Sequence, residues 1–227
     1  MTAGARRQPW LVAVSDRARL CDAAGRPPSQ AIDLLLAQAA AAAAAGVSAY
    51  QVREPDLDAA ALLSVVVAVA EIAGDRMRVL VNDRADVAAA AAVGLHLRSD
   101  SMPTARIRAW LPPGTWIMRA VHDLDEVAAA GPVDALLAGT VRVSTSKPGG
   151  RPLLGMAGLA AIAAAAPVPV VAIGGLSADD WPAVEAAGAV GLAAIGMFLP
   201  RRGESVGSAV ARAAADLTAV VDSSASR

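Results

Sequence analysis

Cysteine occurs once in this chain, at Cys21, and lysine once, at Lys147. A lone thiol cannot close an internal disulfide, so a small buried or half-buried thiol in a reducing compartment is the expectation. Neither sign of charge prevails: 20 Lys and Arg against 21 Asp and Glu leave a formal net charge of -1. Without a basic excess there is no electrostatic footprint for nucleic acid or an anionic membrane, and neither is expected as a partner. No apolar run is long and unbroken enough to span a bilayer, and the N-terminal residues lead directly into a strand-like stretch, which together point to a cytoplasmic protein. Oligomeric state leaves no trace in the sequence, and a homo-oligomer stays open.

Apolar residues make up 56% of the 227, ample for the core of one large domain. Apolar, β-branched runs of strand length recur at 10–15, 49–54, 78–82, 95–98, 116–121, 135–138, 169–173 and 191–195. Continuous apolar sequence such as Val170-Val-Ala-Ile173 is what a parallel strand covered on both faces requires. Ala-rich stretches between the runs read as helices, because alanine is the best helix former and packs closely on a sheet. Gly46, Gly131 and Gly188 supply helix stops, and Ser177 an N-cap. Eight alternating strand and helix signals predict a single-domain (β/α)8 TIM barrel over residues 9–221, with a short extension at 1–8 and a disordered tail at 222–227. A doubly wound sheet is the alternative.

In such barrels function gathers at the C-terminal ends of the strands. There the sequence places Gln51-Val-Arg53-Glu54, Asn82-Asp83-Arg84, His96-Leu-Arg98-Ser-Asp100 and Arg119-Ala-Val-His122, which include both histidines of the chain. Taken singly, each histidine has an ordinary structural explanation. Asp83 and Asp100 close adjacent strands and could hold Mg²⁺, an ion that takes carboxylates together with substrate phosphate oxygens; pairing with Arg84 or Arg98 is the competing explanation. The last two strands end in Ile173-Gly174-Gly175 and Ala194-Ile195-Gly196, where glycines would let backbone N–H groups approach a phosphate; simple turns would use the same residues. The longest connection, from Gly139 to about Gly155, carries Ser144, Ser146 and Lys147, two hydroxyls and an ammonium suited to a second anion. A surface lysine without a role is the plain alternative for Lys147.

The ordered set Gln51-Val-Arg-Glu54, Asn82-Asp-Arg84, Gly94-Leu-His-Leu97, Val121-His122, Ser144-Thr-Ser-Lys147 and Ala172-Ile-Gly-Gly175 resembles the thiamine phosphate synthase and TenI (thiazole tautomerase) superfamily. The resemblance runs from Leu11 to about Pro200, and its specificity lies in the order of the motifs. It implies a transferase of thiamine biosynthesis, which joins an aminomethylpyrimidine diphosphate to a hydroxyethylthiazole phosphate and releases diphosphate. On that reading Gln51, Arg53 and Asn82 meet the pyrimidine diphosphate, Asp83 and a second aspartate bind Mg²⁺, and Lys147 meets diphosphate. Ser144, Ser146, Gly174, Gly175, Ile195 and Gly196 line the thiazole phosphate site. The alternative within the superfamily is a metal-free tautomerase with His122 as its acid–base catalyst. A non-catalytic barrel that binds thiazole phosphate or thiamine phosphate is a third reading.

Three departures bear on the synthase reading. Pro55 stands where the pattern continues with lysine, and Ala120 where it has serine. Arg98-Ser99-Asp100-Ser101 replaces Gly-Gln-Glu-Asp, so Ser101 takes the place of the usual metal aspartate and Asp100 is displaced by one residue. The expectation is that Asp100 supplies the second metal carboxylate from its shifted position.

Overall fold

The structure is a computed structural model that describes residues 8–143 and 152–225. Eight parallel strands close into a barrel in sequence order: β1 (Trp10–Val14), β2 (Ala49–Val52), β3 (Arg78–Asn82), β4 (Gly94–Leu97), β5 (Ile117–Val121), β6 (Ala135–Ala138), β7 (Val170–Ile173) and β8 (Gly191–Ala194). The helices that return the chain are α1 (Arg17–Ala24), α2 (Ala31–Ala44), α3 (Ala59–Ala73), α4 (Ala85–Ala90), α5 (Thr104–Arg108), α6 (Leu124–Ala129), α7 (Gly155–Ala165), α8 (Trp181–Ala186) and α9 (Val206–Ala225). The predicted (β/α)8 architecture is the one observed.

Two differences from the sequence reading have local causes. Helix α1 precedes the expected first helix; it is eight residues long and buries only Leu20 and Cys21, too little for an apolar period to show. Asp16 caps it by accepting from Arg19 N at 3.1 Å, and Gly25 ends it in the left-handed region. Helix α9 continues through Asp222 to Ala225, past the point where polar composition suggests a tail. Gly46, Gly131 and Gly188 are all left-handed at the helix ends, as expected. Among the described residues no helix is long and apolar enough to cross a membrane.

Alternation along each strand divides the core in two. One face packs under the helices, with Leu11, Tyr50, Val81, Leu95, Ile117, Leu136 and Leu192. The other fills the barrel with Val12, Val14, Ala49, Leu80, Met118, Leu137, Val171 and Ala193. In α2 the alanine run buries Ala39, Ala42 and Ala43, and the short side chains let the helix lie close to the sheet. The barrel floor is shut by Trp10 and Trp116, edge to face at 6.1 Å, with the Arg78 guanidinium 4.6 Å from the centre of the Trp116 ring.

The seam between β1 and β8 depends on Gly191, where an added Cβ would lie 2.2 Å from the Trp10 carbonyl oxygen. That neighbour is backbone and cannot swing away. Gly191→Ala is therefore expected to lower stability by about 1–3 kcal/mol, read as a lower urea midpoint at unchanged denaturant slope. A midpoint equal to that of the parent protein would show that the seam tolerates the methyl group.

Candidate active site

The interior face of the strands that carries Ala49, Leu80 and Met118 continues upward into polar residues. Gln51 follows Ala49 by two positions, Asn82 follows Leu80 by two, and His96 sits beside Met118 in the β4–β5 register. All three side chains meet. Gln51 Nε2 lies 3.1 Å from both Asn82 Oδ1 and His96 Nδ1, and His96 Nδ1 lies 3.0 Å from Asn82 Oδ1. Asn82 Oδ1 is the shared acceptor, taking a hydrogen bond from Gln51 and, when its proton is on Nδ1, from His96. Gln51 is 2% exposed and His96 5%. With its nitrogen so engaged, the Gln51 amide presents a buried oxygen, Oε1, which has no hydrogen-bond partner among the described residues. Such an acceptor calls for a donor from a ligand or a water. Arg53, two residues further along the same face, is half-buried, and its backbone N–H donates to Ser15 Oγ at 2.9 Å. Among the described residues its guanidinium has no hydrogen-bond or ion-pair partner.

Asp83 begins the rim. Its backbone is left-handed at φ 55, a conformation that aspartate tolerates better than most residues, and its N–H donates to the His96 carbonyl at 2.7 Å. The Ser101 hydroxyl donates to Asp83 Oδ1 and in turn accepts from Arg98 N at 2.9 Å. The Arg98 guanidinium stands 3.9 Å from Asp83 Oδ2 and 2.5 Å from Asp100 Oδ2. The two predicted metal carboxylates thus face one guanidinium, and Ser101 occupies the flank of Asp83. Among the described residues no group of three or more His, Cys, Asp or Glu could hold a metal ion. The donor chemistry that fits Mg²⁺ here is the Asp83 carboxylate with the Ser101 hydroxyl, completed by substrate phosphate oxygens and water.

Several residues that shape this rim were given no role by the sequence. Arg119 lies on the outer face of β5, 6% exposed, and reaches across to the loop after β4. It donates to the carbonyls of Ser99 (2.9 Å), Ser101 (2.8 Å) and Met102 (3.1 Å) and to Thr104 Oγ1 (3.1 Å). Burial lowers its pKa, opposed by the charges of Asp83, Glu126 and Asp100. A charged residue inside an otherwise apolar strand is the signal that could have exposed it. Glu54 is buried, which pushes its carboxyl up, while Ser15 Oγ (2.6 Å) and the Arg17 guanidinium (2.7 Å) pull it back. Arg17 also holds Asp56, so it is committed on both sides of Pro55 and does not stand in for the absent lysine. Helix α6 places Glu126 four residues after His122, where one carboxylate oxygen meets both His122 N and Nδ1 at 2.8 Å. This fixes the ring and directs Nε2 away from the carboxylate.

Ser144, Ser146 and Lys147 lie outside the described residues. The stems of their loop run beside β7: Val141 N and Arg142 N donate to the Ile173 and Gly174 carbonyls at 3.0 and 2.9 Å, and Arg142 pairs with Asp180 at 2.8 Å. Gly174 and Gly175 serve this approach, since a Cβ would fall 2.4 Å from Thr140 Cγ2 and 2.2 Å from the Val143 carbonyl oxygen respectively. Gly196, after the half-buried Ile195, has open space where a Cβ would stand. The Ser177 cap is present as a reciprocal box with Asp180.

Residues 27–198 match the family described as "Thiamine monophosphate synthase". The thiamine-phosphate synthase of Anaeromyxobacter dehalogenans is 42% identical over 163 residues, 70% of this chain and 73% of that protein. That of Methanoculleus marisnigri is 38% identical over 179 residues, 77% of this chain and 83% of that protein. The structure of thiamine phosphate pyrophosphorylase from Pyrococcus furiosus superposes with a TM-score of 0.75 at 25% identity, covering 95% of this chain and 96% of that one. With a sequence match spanning every strand end from β2 to β8, the chain belongs to the thiamine monophosphate synthase family.

Proposed function

We propose that the protein is the transferase that couples an aminomethylpyrimidine diphosphate to a hydroxyethylthiazole phosphate, releasing diphosphate in thiamine biosynthesis. The observation that carries this reading is the extent of the family match, which contains the whole rim from Gln51 to Gly196. The bond from the pyrimidine methylene carbon to the diphosphate oxygen breaks, with the electron pair leaving on diphosphate, and the thiazole nitrogen forms the new bond to that carbon. A flat, electron-rich ring suits the enclosed ring of amides. Gln51 Oε1 accepts from its amino group, and Asn82 and His96 hold the Gln51 amide in the orientation that makes this acceptor available. Arg53 meets the diphosphate, and Lys147 joins it from the loop after β6. Ser144, Ser146, Gly175 and Gly196 receive the thiazole phosphate. Asp83 with Ser101 would hold Mg²⁺, which when bound supplies positive charge to the departing diphosphate. The reading sets the enzyme in the cytoplasm.

Product formation from both substrates with Mg²⁺ tests the function directly; no product at saturating concentrations would dismiss it. Asp83→Asn should lower kcat/KM by roughly 10- to 150-fold, the equivalent of about 1.5–3 kcal/mol for a lost charge-assisted contact.

His122 separates synthase from tautomerase chemistry. In the coupling reaction no proton passes through His122, and His122→Asn is expected to cost less than about 10-fold. An acid–base catalyst would lose on the order of 10²- to 10⁴-fold. A loss in that range, or turnover of a thiazole carboxylate phosphate without metal, would move the function to the tautomerase.

The rim loop should depend on Arg119. Arg119→Met strands buried acceptors on Ser99, Ser101 and Met102, each unsatisfied group costing about 1–3 kcal/mol, so a clearly lower urea midpoint is expected. Calorimetry at a temperature where the variant stays folded should also find weaker diphosphate binding, because Ser101 no longer stands beside Asp83. Parental stability and affinity would remove Arg119 from this role.

A further inference from the structure

The loop after β4 departs from its family in charge as well as in ligands. Arg98-Ser99-Asp100-Ser101 has no net charge where Gly-Gln-Glu-Asp has two negative charges. The structure shows where the added cation goes: the Arg98 guanidinium stands between the two remaining carboxylates, 3.9 Å from Asp83 and 2.5 Å from Asp100. We infer that Arg98 is a built-in cation of the diphosphate subsite, meeting the leaving group itself and making diphosphate binding less dependent on Mg²⁺. This rests on the synthase reading.

Three observations carry it. First, the guanidinium is accessible: its side chain is 58% exposed and its Asp100 partner 60%, and exposed pairs of this kind hold weakly. An arriving phosphate can therefore replace the Asp100 carboxylate, which meets the guanidinium through one oxygen, by offering two oxygens to the planar fork at higher charge. Second, the root of the side chain is fixed. Arg98 N donates to Ser101 Oγ, Ser101 Oγ donates to Asp83, and Arg119 holds the carbonyls of Ser99, Ser101 and Met102. Its position directly after Leu97, at the end of β4, sets it at the same rim as Asp83, whose N–H is bonded to the His96 carbonyl. Third, the substitutions are complementary. A pair of metal carboxylates repels diphosphate until a divalent cation arrives, whereas serine at 101 removes one of those charges and arginine at 98 offsets another. The cation absent at Pro55, which Arg17 does not restore, is regained two strands further round the same rim, at the end of β4.

The test is calorimetry of inorganic diphosphate on the full-length protein, first in EDTA and then with Mg²⁺. The parent protein should bind diphosphate in EDTA, Arg98→Ala should weaken that metal-free binding by at least 10-fold, and Arg98→Lys should fall between them. Mn²⁺ titrated without diphosphate should bind Arg98→Ala more tightly than the parent, because Asp83 and Asp100 no longer face a fixed cation. Equal metal-free diphosphate affinity in parent and Arg98→Ala, or parental binding seen only with Mg²⁺, would overturn the role of Arg98 while leaving the synthase reading intact. Product formation by the parent from both substrates reports on that reading separately. As Arg98 is exposed, a matching thermal midpoint confirms that each variant is folded.

Discussion

Closure of the parallel sheet is the constraint on which the rest of the molecule depends. Once Trp10, Leu11, Val12 and Ala13 pair with residues 191–194, all eight strands point the same way around one axis, and their carboxyl ends share a rim. Side chains far apart in sequence become neighbours there through register alone: Asn82 lies opposite His96, and Gln51 rises two residues above Ala49. No long-range polar pairing is needed to assemble them. Strand number and stagger set the width of the cylinder, and the small residues at the seam and inside it, Gly191, Ala49, Ala135 and Ala193, fit that space.

The rim itself is organised by a buried charge. Arg119 satisfies its donors on carbonyls and one hydroxyl, with no carboxylate within ion-pair distance among the described residues, which is a costly way to keep a guanidinium out of water. What the arrangement gains is definition: four acceptors from Ser99 to Thr104 are tied to one rigid fork, and the fork is rooted in a barrel strand. Thr104 extends the tie by donating to the Ala130 carbonyl at 2.6 Å, at the end of α6. A loop so held can present Ser101 to Asp83 without a metal ion to shape it.

Strand positions, the barrel and the polar residues that close the strands were legible in the sequence, because burial on both faces of a parallel strand leaves continuous apolar runs and because polar residues closing such runs must lie at the rim. Gln51, Asn82 and His96 were found on that rule. Asp100 illustrates where the rule stops. Spacing along the chain places it near Asp83, but direction is decided by the local hydrogen bonds of the loop, and these turn Ser101 toward Asp83 and leave Asp100 to Arg98. Gly174 and Gly175 show a second limit: a glycine marks a close approach without naming its neighbour, which here is the backbone of the loop after β6. The roles of Glu126 and Arg119 escaped because each acts by holding another residue, His122 or the loop after β4, and such contacts leave no pattern along the chain.

The site divides into a dry part and a wet part, and the division follows the chemistry the two parts must meet. Gln51 and His96 are almost wholly enclosed, and hydrogen bonds to neutral partners gain strength where water is excluded. Asp83, Arg98 and Asp100 remain open to solvent, where charges avoid a desolvation cost and can exchange partners. A substrate with a neutral aromatic ring at one end and a diphosphate at the other would span the boundary, its ring among the amides and its charge among the exposed side chains. The bond to be broken would lie between them.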